Sequence, residues 1–230
     1  MGVKERQERE REAVARAILD AARELFVAEG YRNVSIRKIA EKIEYSPAAI
    51  YSYFASKDDI FLALAEEGFR ILFARAGDPP LEDPIEDVRA GFMRLYEFSR
   101  AHPEYFSLMF LDRSVPRLSQ DWERFGFVRE MKTRIQSRIQ AAIDAGAFPR
   151  GTHPEAVFRI LMAAIHGVAT LALCERLAPR ENPDALARDT LEAALTGLRS
   201  GISHTFCLRQ GSGGLAEASA EAVESQPCDS

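Results

Sequence analysis

The sequence predicts an all-α fold of about nine helices, with a short three-helix head followed by a larger helical body. Apolar residues recur at intervals of three and four, as in Val14, Ile18 and Ala21, and this spacing forms one face of an α-helix. Glycine, proline and capping residues separate such stretches. No run of alternating apolar and polar residues indicates a strand.

The head contains the first three predicted helices. The first spans residues 9–29 and stops at Gly30, a residue that commonly ends helices. The second spans 35–43. The third spans 46–54, where Ser46 is followed by proline, so a capping hydroxyl precedes a residue suited to the first helical position. Short connections between the three indicate a compact unit.

The body begins with a fourth predicted helix that starts at Ser56 and continues to about Ala76. Further helices are expected over residues 84–101, 103–112, 119–144, 154–177 and 183–206. The last residues are mostly Gly, Ser, Ala and Glu, which bury too little surface to offset their ordering entropy. The expected divisions are a head at 1–57 with a charged leader at 1–10, a body at 58–208 and a disordered tail at 209–230.

Charge and composition exclude several classes of protein. The net charge is −5, but residues 1–57 carry 11 Lys/Arg and 9 Asp/Glu, whereas residues 58–230 carry 19 and 26. A slightly basic head on an acidic body fits a protein that contacts nucleic acid with one end. The charged N-terminus is no secretory signal and no run of 18 apolar residues occurs, so we expect a cytoplasmic protein without a membrane span. The three cysteines match no zinc spacing.

Five segments of the head resemble the DNA-binding domain of TetR-type regulators, in the same order and at the same spacing. They are Ile18–Phe26, Gly30-Tyr31, Ser35–Ala40, Ser46–Phe54 and Ser56–Phe61. The run from Ile50 to Lys57, with its Tyr-x-Tyr-Phe-x-x-Lys pattern, is the most specific part. The resemblance implies a transcription regulator, acting as a repressor, that binds a palindromic operator in double-stranded DNA as a homodimer. A small apolar or aromatic effector would release it, and no cofactor or metal is expected.

One position departs from the family pattern. The corner between the second and third helices often carries glycine, which adopts positive φ without steric cost. Here Glu44 and Tyr45 occupy that corner. Either the turn avoids positive φ or it holds some strain.

The expected DNA contacts lie on the second and third helices and at the start of the fourth. They are Ser35, Arg37, Lys38, Ser46, Pro47, Ala48, Ala49, Tyr51, Ser52, Tyr53 and Lys57. Ala48 and Ala49 are small enough for the backbone to approach base edges. The resemblance assigns phosphate contacts to Tyr51 and Tyr53. The alternatives are partly buried tyrosines that pack within the head and a solvated Lys57. The charged leader either extends the first helix or reaches the minor groove.

The body is rich in Phe and Met, which form either a plain core or an adaptable apolar cavity. The expected ligand-binding residues are Phe92, Tyr96, Phe106, Met109, Phe110, Trp122, Met162 and His166. The segments Ala101–Phe110 and Ile165–Thr170 are similar to a C-terminal subfamily with a Trp-His-Gly signature, of which only His166-Gly167 remains.

The resemblance also places a four-helix dimer interface on the last two helices. The expected interface residues are Ile165, Leu171, Leu191, Leu195, Leu198 and Ile202. Two other classes remain open, a helical protein-binding adaptor and a small helical enzyme. Against an enzyme, the sequence has no nucleophile–base pattern, metal-ligand spacing or phosphate-binding loop. Salt-dependent DNA binding distinguishes the regulator from both.

Overall fold

A computed structural model of the chain describes residues 2–75, 78–115 and 126–201. These ranges contain nine α-helices and no strand, in agreement with the predicted all-α fold. The helices are α1 (Val3–Glu29), α2 (Ile36–Lys42), α3 (Pro47–Tyr51), α4 (Lys57–Leu72), α5 (Pro84–Ala101), α6 (Pro103–Phe106), α7 (Gly126–Asp144), α8 (Pro154–Leu173) and α9 (Pro183–Arg199). The predicted tail lies outside the described residues.

Two predicted helices differ from the observed ones. The expected helix at 103–112 is divided into α6 and a π-helical segment, Ser107–Leu111. Helix α4 ends at Leu72 rather than near Ala76, because the backbone of Phe73 has left the helical region with φ −97° and ψ 9°. The helical connection between head and body is therefore shorter than expected.

The head is built from α1, α2 and α3 around a small apolar core. Helix α1 begins at Val3, so the charged leader forms its exposed first turns. Ser35 and Ser46 cap the next two helices, with their hydroxyl oxygens accepting hydrogen bonds from the backbone N–H groups of Lys38 and Ala49. Ile50 is fully buried and anchors the short α3. Side-chain caps and one buried anchor thus fix α3 despite its five residues.

The corner between α2 and α3 adopts the strained alternative. Glu44 has φ 59°, in the left-handed region, and the next residue, Tyr45, donates its backbone N–H to the Ala40 carbonyl at 2.9 Å. A non-glycine residue in this conformation costs about 1–2 kcal/mol. The corner geometry that the family obtains with glycine is thus formed here by a glutamate.

Replacing Glu44 with glycine should stabilise the protein by about 0.5 kcal/mol, because relief of the backbone strain exceeds the added entropy of the unfolded chain. Glu97→Gly is the control, since Glu97 is exposed within α5 and glycine there should destabilise by about 1 kcal/mol. Urea unfolding of both variants measures the difference. Equal destabilisation by both substitutions would contradict a strained corner.

The body is a bundle in which α8 packs against α5, α7 and α9, while α4 contacts α1, α5 and α6. A Cβ at Gly68 of α4 would overlap Sδ of Met109 and approach Tyr105. The absence of a side chain at Gly68 therefore allows α4 to lie close against α6 and the π-helical segment. Helix α4 contacts both the head and the body, and α6 and the π-helical segment also contact α1.

Helix α8 corrects the expectation that the chain lacks a helix with membrane-span properties. It has 20 residues and a mean hydropathy of 1.9 in its most apolar window. The expectation counted uninterrupted apolar runs, whereas α8 includes charged residues, Glu155 and Arg159, in its first turns. Length and composition are shared by membrane spans and core helices, and α8 contacts three other helices of the body. The helix therefore does not by itself assign a membrane location.

Candidate DNA-binding surface and ligand cavity

Helix α3 presents a surface of small and aromatic side chains. Pro47 and Ala48 are exposed, and Tyr51, at 55%, is more exposed than Val27 and Tyr45, the other large hydrophobic residues exposed in the described part of the head. Burial of Ile50 fixes the rotation of the helix, so Tyr51 points outward. Ser52 donates its hydroxyl to the Ala49 carbonyl at 2.6 Å. This surface has the low profile that close approach to a DNA groove requires.

The two cationic residues of α2 that were predicted to contact DNA, Arg37 and Lys38, are both paired with carboxylates. Arg37 contacts Glu41 at 2.8 Å, with both side chains largely exposed, and Lys38 contacts Glu29. Exposed pairs of this kind contribute little to stability, so both cations remain available to exchange their partner for a phosphate. The Ser35 hydroxyl also keeps its donor hydrogen, because the cap uses only its oxygen as an acceptor.

Tyr53 and Lys57 are half-buried, unlike most of the other predicted contacts. Tyr53 is half-buried against the core of the head, and the Arg11 guanidinium lies 5.7 Å from its ring centre. Lys57 donates to the carbonyls of Tyr31 and Val34 at 2.8 and 2.9 Å. Two of the three ammonium donors are thus used within the head, and a phosphate contact by Lys57 stays a prediction.

The head is joined to the body by a cluster of polar contacts around Tyr31. The backbone N–H of Tyr31 donates to Asp112 at 3.3 Å, and its hydroxyl donates to Asp58. Burial and the Asp58 carboxylate raise the pKa of Tyr31, so it stays protonated. Arg23 of α1 donates to the Tyr105 hydroxyl at 2.9 Å. Contacts from α4, α6 and the end of the π-helical segment therefore converge on the base of the head.

A cavity of about 400 Å³ lies between α4, α5, α7 and α8, beside the π-helical segment. Four of the predicted ligand-binding residues line it, namely Phe92, Phe110, Met162 and His166. Its remaining lining residues are Phe69, Leu72, Phe73, Asp87, Val88, Gly91, Arg94, Leu95, Val128, Lys132, Arg134, Ile135, Arg138, Ile139, Phe158 and Arg159. The interior is mostly apolar, as expected from the Phe-rich sequence.

Three other predicted ligand-binding residues lie elsewhere. Tyr96 is buried, and its hydroxyl donates to Asp184 at the start of α9 at 2.6 Å. Phe106 is fully buried behind the cavity wall, 5.1 Å from the Phe110 ring centre. Met109 packs against Gly68. These three are structural, since helical periodicity alone does not separate a cavity wall from the layer behind it. Trp122 lies outside the described residues.

The cationic side of the cavity was missed from the sequence. Five cationic residues line it: Arg94, Lys132, Arg134, Arg138 and Arg159. Three of the five belong to α7, and in the sequence they resemble the solvated face of an amphipathic helix. The sequence suggested an apolar cavity, whereas the cavity in the structure combines apolar walls with a cationic side. The buried Asp87 accepts from Arg138 at 2.8 Å and is the single carboxylate among the lining residues.

His166 is the other polar group in the cavity wall. Phe106 and Phe110 pack against its ring at 5.3 and 4.9 Å between centroids. Its Nε2 atom is buried and has no hydrogen-bond partner among the described residues. Burial lowers the pKa of His166, which keeps the imidazole neutral at physiological pH. A neutral imidazole can offer a donor or an acceptor to a bound molecule.

The predicted dimer interface needs a correction. Ile165, Leu191, Leu195 and Leu198 are buried inside the single chain, where they hold α8 and α9 to the rest of the body. Their side chains have no surface left for a partner. Leu171 is 42% exposed on the outer face of α8 and keeps its predicted position at the surface. Ile202 lies outside the described residues.

Comparison with known proteins identifies the family. Residues 18–64 match the family model described as bacterial regulatory proteins of the tetR family, and residues 88–194 match the tetracyclin repressor-like C-terminal domain. The HTH-type transcriptional repressor AcnR of Corynebacterium glutamicum is 33% identical over 153 residues, which cover 65% of this chain and 77% of the relative. The chain belongs to the TetR family.

Two further comparisons find a related regulator and a shared fold. An uncharacterized HTH-type transcriptional regulator of Bacillus subtilis, YuxN, is 26% identical over 159 residues, 68% of this chain, and the match spans only about half, 52%, of that relative. A solved structure described as a putative fatty acid metabolism regulator of Clostridium perfringens has a TM-score of 0.62 at 19% identity, over 82% of this chain and 100% of that chain. This structural likeness shows that the fold is shared.

The two matched regions divide this TetR-family chain at the elements described above. The first, at residues 18–64, ends within α4, and the second begins at Val88 in α5. The exposed α3 therefore lies in the family's N-terminal domain. The cavity is lined from both sides of the division, because Phe69 and Phe73 follow the first region and α5, α7 and α8 belong to the second.

Proposed function

We propose that this TetR-family protein is a cytoplasmic repressor that binds a palindromic operator as a homodimer and is released when a small effector occupies the cavity. The observation that supports this proposal is that helix α4 contacts both the head and the cavity. Its first residue, Lys57, bonds to head carbonyls, and its last turns contribute Phe69 and Leu72 to the cavity. One rigid helix thus contacts both the DNA-binding head and the effector site.

In the DNA-bound state α3 lies in the major groove. Ala48 and Ala49 permit close approach, and Tyr51 reaches a backbone phosphate with its hydroxyl. The donor hydrogens of the Ser35 and Ser46 hydroxyls point to further phosphates, since both side chains sit at helix N-termini, which favour anions. Most of these groups fix the position of the head, so the choice of sequence depends largely on Arg37, apolar contacts and DNA shape.

The homodimer pairs the outer faces of α8 and α9. These faces include small or apolar residues that are exposed or half-exposed, namely Ile160, Ala163, Gly167 and Leu171 on α8, with Leu186, Ala193 and Gly197 on α9. Small side chains allow close packing of helices, and a two-fold axis through this surface matches a palindromic DNA site. This outer face replaces the buried residues Ile165, Leu191, Leu195 and Leu198 as the proposed interface.

Release follows from a change in the distance between the two heads. The recognition helices of a dimer must lie about one DNA turn apart, roughly 34–36 Å, to fit successive major grooves. An effector that favours a different position of α4 or of the π-helical segment moves α3 through Lys57 and Asp112, which bond to the head around Tyr31. A preference of about 1–3 kcal/mol for the DNA-free shape would weaken operator binding roughly 5- to 150-fold.

The proposal is tested by operator binding of the Tyr51→Ala variant. Loss of the ring and its phosphate contact should reduce operator affinity by about 1–3 kcal/mol. Tyr51→Phe should reduce operator affinity by a smaller amount, because it keeps the ring and removes only the hydroxyl. Arg180→Ala, an exposed substitution in the loop between α8 and α9, is the control. Fluorescence anisotropy over a range of salt concentrations, on a genomic fragment upstream of the chain's own gene, provides the measurement.

The salt dependence distinguishes a regulator from the other classes. A head that contacts phosphates releases counterions, so affinity should fall steeply as salt rises. Unchanged affinity in Tyr51→Ala would remove α3 from the contact surface. Absence of salt-dependent DNA binding in the folded wild type would favour the helical adaptor.

A further inference from the structure

The cavity combines an apolar interior with an excess of positive charge. Its lining residues include five cations and one carboxylate, that of Asp87. Two more carboxylates, Glu130 and Glu155, bond to lining cations. Counting these, the five cations outnumber the three carboxylates by two. The side chains of Lys132, Arg134 and Arg159 are 37%, 48% and 55% exposed, so solvent offsets much of their charge, whereas Arg94 is half-buried. An excess of positive charge beside an apolar chamber favours an anion.

Pairing distinguishes Arg94 from the other four cations. Arg138 bonds to Asp87 at 2.8 Å and Arg134 to Glu130 at 2.8 Å. Lys132 and Arg159 share Glu155, at 3.2 and 2.9 Å. Within the described residues, Arg94 has neither a hydrogen-bond acceptor nor a carboxylate within 4 Å, although the charges of Asp87 and Asp78 lie near enough to act on it. It is therefore the guanidinium that is free to bind a ligand.

The surroundings of Arg94 favour an incoming anion. The side chain is half-buried. Arg94 lies on α5, where the neighbouring residues in the sequence, Val88, Gly91 and Leu95, also line the cavity. Burial, together with the positive charges of Arg138 and Arg75, lowers the pKa of Arg94. The guanidinium nevertheless stays charged, so its unfavourable environment would be relieved by a carboxylate.

The rest of the cavity sets the shape of the ligand. Phe69, Phe92 and Phe158 provide apolar walls, and the volume of about 400 Å³ is at the lower end of small-molecule sites, which span roughly 300–1,000 Å³. A single medium-length chain or a fused ring pair fits such a space. The buried His166 Nε2, which lacks a partner among the described residues, offers a second polar contact.

We propose that the effector is an amphipathic carboxylate, with an apolar chain or ring in the cavity and its carboxylate bound by the Arg94 guanidinium. This inference rests on the proposed function, because it names the ligand class of the same cavity. It adds a carboxylate to the small apolar or aromatic effector that the sequence suggested. A guanidinium pairs with a carboxylate through two parallel hydrogen bonds, so Arg94 selects the anion over its neutral analogue.

The test compares two matched pairs of probes, decanoate with decan-1-ol and 2-naphthoate with 2-naphthalenemethanol. Binding of each to the full-length protein is measured by isothermal titration calorimetry. Within at least one pair, the carboxylate should bind roughly 10- to 150-fold more tightly than the alcohol, as expected for a charged hydrogen-bonded contact. Arg94→Met should lose this preference while leaving affinity for the alcohol within about threefold, because methionine keeps the apolar part of the side chain.

Two further variants separate Arg94 from the general charge of the cavity. Arg134→Met removes a lining cation that is paired with Glu130, so the carboxylate preference should change by less than about threefold. Arg94→Lys keeps the charge and should retain part of the preference. Circular dichroism and thermal unfolding establish that each variant is folded. A preference that survives in Arg94→Met, equal binding within both pairs, or no binding of any probe at millimolar concentration would overturn the inference.

Operator titration with the same probes separates this inference from the proposed function. Release of DNA by the alcohols as readily as by the carboxylates would overturn the carboxylate class and leave the repressor proposal standing. Arg94-dependent carboxylate binding that leaves operator affinity unchanged would support the ligand class and overturn the proposed switch.

Discussion

Leu195→Glu is expected to unfold the protein, whereas Leu171→Glu is expected to leave it folded and monomeric. Leu195 is 0% exposed in the single chain and Leu171 is 42% exposed. A glutamate at Leu195 would lie in the apolar core between α9 and the body without a cationic partner, at a cost of about 4 kcal/mol or more. The same charge at Leu171 is solvated in the monomer and is desolvated only in the proposed α8–α9 interface.

The two variants form a matched test, because both change leucine to glutamate. Thermal unfolding should show a large loss of stability for Leu195→Glu alone. Sedimentation at micromolar concentration should show a dimer for the wild type and a folded monomer for Leu171→Glu, with dimer dissociation raised about 100-fold or more by the buried charge. A fully dimeric Leu171→Glu variant would place the interface elsewhere on the surface.

The sequence predicted the helices well where local chemistry defines their ends. Ser35, Ser46 and Ser56 were identified as helix starts, and each caps a helix in the structure. Proline and glycine marked most of the breaks. The end of α4 was missed because neither proline nor glycine stands at Phe73, where the backbone leaves the helical region and the Phe73 ring stacks on Phe69 at 5.9 Å.

The partner of each apolar face was harder to predict. Periodicity identified an apolar stripe on α9 with Leu191, Leu195 and Leu198, and this stripe was assigned to the dimer interface. In the structure it packs inside the chain. Amphipathicity tells only that a face is buried, and it does not distinguish a core from an interface between two copies. The faces left exposed contain Ala163, Gly167 and Ala193, whose small side chains give almost no hydrophobic signal.

In the candidate sites, too, local features could be predicted from the sequence and features that depend on packing could not. The exposed Tyr51 followed from its spacing to the buried Ile50 on one short helix. The cationic lining of the cavity did not, because Asp87 of α5 and Arg138 of α7 are 51 residues apart in the sequence and only packing brings them together. Lys57 was identified as important, but its bonds to Tyr31 and Val34 depend on the path of the chain between α1 and α2.

The pairing of Asp87 with Arg138 leads to the second large expected effect. Asp87→Ala should destabilise the protein by about 3 kcal/mol, because it leaves Arg138 in a partly buried position without its carboxylate. The side chains of Arg138 and Asp87 are only 20% and 5% exposed. The substitution also removes the acceptor for the Leu81 backbone N–H, which bonds to Asp87 at 3.0 Å.

The control for Asp87→Ala is Glu130→Ala. The Arg134–Glu130 pair lies on the same helix, one turn away from Arg138, and has the same 2.8 Å separation as the Arg138–Asp87 pair, but its side chains are 48% and 60% exposed. Solvent screens such a pair, so its loss should cost less than about 0.5 kcal/mol. Urea unfolding of the two variants compares ion pairs of equal length and unequal burial. Arg138→Met combined with Asp87→Ala should recover part of the loss, since it removes the guanidinium left behind. Equal losses from Asp87→Ala and Glu130→Ala would show that burial does not set the strength of the pair that holds α5 to α7 at the cavity.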